Sequence, residues 1–251
     1  MLFRAKPPVD PQEYEWLMAC FAWLRAVLDD HGIRPDLVTP DHPSLKSAST
    51  AQELFEAVRD LCGMTEWPCR LEKVDDDFEP NDARIQRLDG PPAGTFSVES
   101  GEAVIRYNAR MLAQPDALAA TFAHELSHYL THSLGDPPGG PDLMEHATDC
   151  CAAYLGFGVL LANDARTFEQ WTDGEWFGWQ SSTMGYLSEQ ALVTATAMFA
   201  ALHKHDTGAA KAALKPYLRK DFAKAEKAIA KDHPDFAQAL AETDLLEWSY
   251  D

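Results

Sequence analysis

The stretch PDALAATFAHELSHYLTH, residues 115–132, constrains this chain more than any other. Its opening proline suits the first turn of a helix, its apolar residues recur at helical spacing, and SLGDPPGG follows as a breaker. Leu118, Phe122, Leu126, Tyr129 and Leu130 share one stripe and are expected to face a core. His124 and His128 share another stripe with Ala117, Ala120 and Thr121. Four residues is close to one helical turn, so the two imidazoles point the same way beside small neighbours. Just upstream, Thr95–Glu99 and Ala103–Tyr107 are short β-rich runs parted by Ser100-Gly101-Glu102, the pattern of a hairpin.

The remaining chain is mostly helical in pattern. Pro11 opens a helix predicted to reach about residue 31, before Gly32. Residues 33–49 read as a loop, and Thr50 caps a second helix with Glu53 completing a capping box. Cys69–Val74 alternates as a strand does. Pro141 opens a helix predicted to run to about Leu161, and Ser188 caps one to about Lys204. Later helices break at Pro216 and at His233-Pro234. Residues 164–187 form an aromatic segment with Trp171, Trp176, Phe177, Trp179 and Tyr186, read as covering the core or as a lid. The expectation is a single α+β domain over residues 1–251. Residues 1–66 are its helical N-terminal region. Residues 67–163 are its core, a small antiparallel sheet on the 115–132 helix and the helix after it. Residues 164–251 are an aromatic loop and a helical C-terminal region.

The net charge of -19 argues against nucleic acid and against an anionic membrane surface as partners. Residues 208–231 carry seven Lys and Arg against two Asp and Glu, which reads as a solvated helix face. The opening MLFRAKPPVDPQ has no apolar h-region, and no run approaches a membrane span. Five cysteines, none in a C-x-x-C pair, suggest free thiols and a cytoplasmic location. Cys150 and Cys151 are adjacent, so at most one could face a site beside them, and both read as buried core residues.

His124 and His128 can grip one ion, and zinc suits them because it accepts imidazole nitrogens in tetrahedral coordination. Glu125 projects about 100° from His124, which frees its carboxylate for a water on the ion instead of the ion itself. A third ligand is needed, and MEHATD, residues 144–149, offers three. Glu145 ranks first, Asp149 second and His146 third. Glu145 and Asp149 share a face that continues through Ala152, Ala153 and Gly156, so the helix can approach closely. With Glu145 on the ion, Asp149 can accept the ring N–H of a ligating histidine. One zinc ion per chain is expected.

HELSH followed by EHATD resembles the gluzincin pattern H-E-x-x-H…E-x-x-x-D of thermolysin-like zinc peptidases, over roughly residues 95–160. The resemblance implies a zincin-like fold with His124, His128 and Glu145 as ligands, Glu125 as general base and Asp149 as the partner of His124. It implies a peptide or protein substrate, held by strand addition on Ala103–Tyr107, and an oxyanion donor from later in the chain. Tyr186, His203 and His205 are the available residues. The short interval between His128 and Glu145 implies a reduced connecting subdomain. A zinc-binding regulatory or scaffold protein without turnover, and a helical interaction module in which the motif is accidental, are the competing readings.

Overall fold

The computed structural model describes residues 6–28, 35–74, 94–99, 102–169 and 186–248. In chain order its helices are α1 (Pro11–Leu28), α2 (Pro43–Ser47), α3 (Ala51–Leu61), α4 (Pro115–Thr131), α5 (Met144–Ala152), α6 (Gly158–Glu169), α7 (Glu189–His203), α8 (Thr207–Ala213), α9 (Arg219–Asp232) and α10 (Phe236–Ala241). The strands are β1 (Cys69–Val74), β2 (Gly94–Glu99) and β3 (Glu102–Asn108). The fold is α+β and mainly helical. Among the described residues no helix is long and apolar enough to cross a membrane.

Local chemistry accounts for several boundaries. Thr50 caps α3 by accepting from the Glu53 N–H at 3.1 Å, and the Glu53 carboxylate accepts from the Ser49 N–H at 2.7 Å. Residues 43–47, expected as loop, form the short α2, because His42 Nδ1 accepts from the Ser44 N–H and Pro43 occupies the first turn. The helix expected from Pro141 to about Leu161 is interrupted by a wide π-type turn over Ala153–Phe157. Gly156 sits there at φ +97°, and a Cβ on it would lie 1.9 Å from the Asp36 carbonyl oxygen. Val38 N–H donates to the Gly156 carbonyl at 3.0 Å, so the incoming segment passes where only a glycine admits it. Beyond the turn α6 runs on through the expected division at residues 163–164.

The sheet order is β1-β3-β2. β2 and β3 pair antiparallel, with Phe96 opposite Ile105, as a two-residue connection requires. β1 pairs parallel to β3, with Cys69 opposite Ala103. The sheet is therefore mixed, which corrects the expectation of an antiparallel one: β1 is joined to the hairpin through residues 75–93, a connection long enough for a parallel return.

α4 lies between the sheet and the helices α3, α5 and α6. It is consequently buried nearly all round, Ala119 and Ala123 as fully as Leu118 and Leu126, and the expected single core-facing stripe is an underestimate. Its buried hydroxyls are satisfied within the helix, Thr121 to the Ala117 carbonyl and Ser127 to the Ala123 carbonyl. One buried cluster runs from Val9 to Leu240 and draws on both terminal regions. Trp16 of α1 is part of it, and its indole N–H donates to the Pro138 carbonyl at 2.8 Å, fixing the segment between α4 and α5.

Candidate metal centre

His124 and His128 project from the C-terminal half of α4, and Glu145 from the first turn of α5, which packs against it. Their donor atoms converge. His124 Nε2 lies 3.0 Å from His128 Nε2. Glu145 Oε2 lies 3.2 Å from His128 Nε2 and 3.6 Å from His124 Nε2. Three ligands on a tetrahedral ion with bonds of about 2.0–2.1 Å stand about 3.3 Å apart, so this triangle has the dimensions of one face of such a site.

The remaining ring atoms decide which nitrogens face the triangle. His124 Nδ1 is 2.8 Å from Asp149 Oδ1, and both side chains are buried. A carboxylate only accepts, so the proton sits on Nδ1 and the Nε2 lone pair points inward. His128 Nδ1 is 3.3 Å from Thr148 Oγ1, whose own proton goes to the Met144 carbonyl at 2.9 Å. The hydroxyl therefore accepts from Nδ1–H, and His128 has the same tautomer. The second Asp149 oxygen accepts from the Leu187 backbone N–H at 2.8 Å, tying the segment before α7 to the ligand pair.

Two imidazole lone pairs and a carboxylate oxygen this close together repel unless a cation or proton lies among them. The electrostatics reflect that. Burial pushes the His124 pKa down, but the hydrogen bonds of Asp149 and Glu145 outweigh it and hold the imidazolium form well above its usual range. Burial pushes Glu145 up, yet its bonds to the two histidines win and hold its carboxyl below the usual carboxylate range. A divalent ion would take the place of the proton, and a set of two neutral imidazoles and one carboxylate suits a transition-metal ion, zinc among them.

Glu125 is not one of the three convergent donors. It is 6% exposed, and burial raises its pKa, opposed by the nearby histidines. A Cβ on Gly94 would stand 2.5 Å from Thr121 Cγ2 and 3.1 Å from Glu125 Oε1. Glycine at the start of β2 thus lets the strand lie against the helix without displacing that carboxylate.

Other residues named from the sequence fall elsewhere. Of the three contenders for third ligand, Glu145 joins the histidines, Asp149 stands behind His124, and the His146 ring meets Trp16 edge-on at 6.1 Å. His203 and His205 both pack on Phe199, and His205 is bonded to the Pro35 carbonyl. Tyr186 is the one later residue of these three that meets the site, its ring 5.3 Å from that of His124. Trp171, Trp176, Phe177 and Trp179 lie outside the described residues. Cys150 and Cys151 are wholly buried and remain free thiols.

Strand Ala103–Tyr107, expected to hold substrate at the sheet edge, is the central strand β3 with both neighbours in place, so it has no edge to offer. β2 takes that position beside α4: Phe96 stacks on His128, ring centroids 6.4 Å apart, and on Tyr129 at 5.6 Å. Thr148, Leu187, Gly94 and Phe96 are not singled out by the sequence pattern that points to the others. Thr148 has the strongest signal of the four, being three residues after Glu145 and on its face of the helix. The others arrive through tertiary contact and leave no local signal. No family model matches the chain, and comparisons with curated proteins and with solved structures give no significant match.

Proposed function

We propose that the chain is a zinc-dependent hydrolase, a metallopeptidase of the gluzincin, zincin-like type. The convergence of two Nε2 lone pairs and the Glu145 carboxylate, with both histidines oriented from behind, supports it most directly. His124, His128 and Glu145 would hold one zinc ion. A zinc ion in such a site lowers the pKa of a water toward about 7 and polarises a carbonyl. Glu125 takes the proton from the attacking water and delivers it to the departing amine. Tyr186, against His124, is the residue best placed to donate to the developing oxyanion. The substrate is an extended polypeptide laid along β2, with Gly94 beside the base. Free thiols throughout suit a reducing compartment such as the cytoplasm.

The burial of Glu125 favours a second reading, a zinc-binding regulatory protein without turnover. Glu125→Gln separates the two. It is expected to keep about one zinc per chain, by elemental analysis, and to lose hydrolysis of an unfolded polypeptide that the wild type cleaves. Equal cleavage by both proteins, or none by either, defeats the hydrolase. A His124→Ala, His128→Ala protein that still carries zinc defeats the site itself.

A further inference from the structure

Trp67 packs edge-on against Tyr129, with centroids 4.9 Å apart, and Tyr129 in turn stacks on Phe96 at 5.6 Å. Phe96 lies parallel to the ring of His128, at 11° and 6.4 Å. These three aromatic side chains are half-buried and form a strip that ends on a ligand of the metal centre. The pleat puts Val98, 51% exposed, on the same face as Phe96. The opposite face of the sheet carries most of the charges, which are spent on one another: Arg106 binds Glu72 and Glu99, and Arg70 binds Glu72, Glu99 and Glu102. On the face toward α4 the exposed Lys73 belongs to β1 at the far edge. The β2 side is mainly apolar, with the exposed His132 ring 6.2 Å from that of Phe96, and β2 pairs with no strand on its outer edge among the described residues.

We propose that Trp67, Tyr129, Phe96 and Val98 form a subsite for an aromatic or large aliphatic side chain of an extended polypeptide added to the outer edge of β2, an inference that rests on the peptidase reading above. The edge names the occupant. A chain paired to β2 places alternate side chains on the Phe96 face, about 7 Å apart. Gly94 stands beside Glu125 and Phe96 follows two residues later, so the subsite selects a residue about two positions from the bond held at the centre. Phe96 and Val98 are specificity-determining residues, and neither is among the three convergent metal donors.

The test uses full-length, zinc-loaded Glu125→Gln protein and two fluorescein-labelled Gly/Ser dodecapeptides, one with a single central Phe and one with Ser there. Fluorescence anisotropy is expected to show the Phe peptide binding about tenfold more tightly, the effect of burying roughly half of such a side chain. Phe96→Ala and Val98→Asp, each added to Glu125→Gln, should remove the difference, and Val98→Asp should do so with zinc content unchanged. Val98 is exposed, so that variant tests the strip even if Phe96→Ala fails to fold. Equal affinity for the two peptides, including no binding of either, overturns the subsite. A preference that survives both substitutions does the same. Wild-type protein incubated with the same peptides distinguishes the two readings: cleavage without preference for Phe removes the subsite and keeps the hydrolase, whereas preferential binding without cleavage keeps the subsite and removes the hydrolase.

Discussion

Asp149 holds His124 from behind at 2.8 Å with one carboxylate oxygen, and with the other it accepts the Leu187 backbone N–H. One buried side chain thereby orients a metal donor and anchors the approach to α7. Asn in its place can accept one of these bonds but must turn an NH2 toward the other donor. Asp149→Asn is expected to weaken zinc binding by about 10–100-fold and to cost about 1–3 kcal/mol of stability through the unsatisfied donor. Chelator competition and urea unfolding measure the two effects, and a variant that changes neither would show Asp149 to be dispensable.

Thr148 plays the corresponding role for His128. Its hydroxyl accepts from Nδ1–H only because its own proton is committed to the Met144 carbonyl. Thr148→Val keeps the shape and loses the acceptor, so zinc affinity should fall by about tenfold, the lower end of such losses. Thr148→Ser should restore it. If Val and Ser behave alike in the chelator titration, the hydroxyl has no part in orienting His128.

Gly94 is required by proximity, since a Cβ would come within 2.5 Å of Thr121 Cγ2 and 3.1 Å of Glu125 Oε1. Gly94→Ala should leave the zinc content intact, cost about 1–3 kcal/mol as overpacking does, and lower hydrolysis by displacing Glu125. Adding Thr121→Ser removes the closer clash and should recover most of the stability. Thermal unfolding of the single and double variants decides this, and a Gly94→Ala protein with unaltered stability and activity would contradict the geometry.

On the proposed reading, zinc and protons compete for the site. The His124 pKa is raised in the metal-free protein, so this imidazole is protonated below that value and zinc must expel the proton to bind. Apparent zinc affinity should therefore rise by about tenfold per pH unit for each proton displaced, and level off once the pH exceeds the His124 pKa. Glu145, held low, contributes no proton at neutral pH. Calorimetry in buffers of different ionisation enthalpy counts the protons. Zinc binding without proton release near neutral pH would show that His124 is already neutral in the metal-free protein.

Much of the site is legible in the sequence because its chemistry is local. His124, Glu125 and His128 belong to one helix, and the 3.6-residue period alone dictates that the two histidines agree in direction while Glu125 diverges. Glu145, Thr148 and Asp149 share the next helix on the same principle. That these two helices face each other at a separation of 3.2–3.6 Å between donors depends on packing, with the Trp16 to Pro138 bond among the ties that hold the turn between them. The choice of Glu145 over His146 follows from the same packing, since the rotation of α5 that brings Glu145 to the histidines puts His146 on Trp16.

Which residues share a helix face, and such signals as the Thr50 cap and the breaker after α4, can thus be read from the chain alone, because they are set by bonds and periods spanning a few residues. Folding in three dimensions decides the direction of β1, the central place of β3, the close passage of Asp36 at Gly156, and the meeting of Gly94 with Glu125 and of Phe96 with His128. Strand order and close approach couple residues far apart in the chain. Their energies arise from side chains and backbone that are neighbours only after folding, so no pattern within either partner's own segment records them.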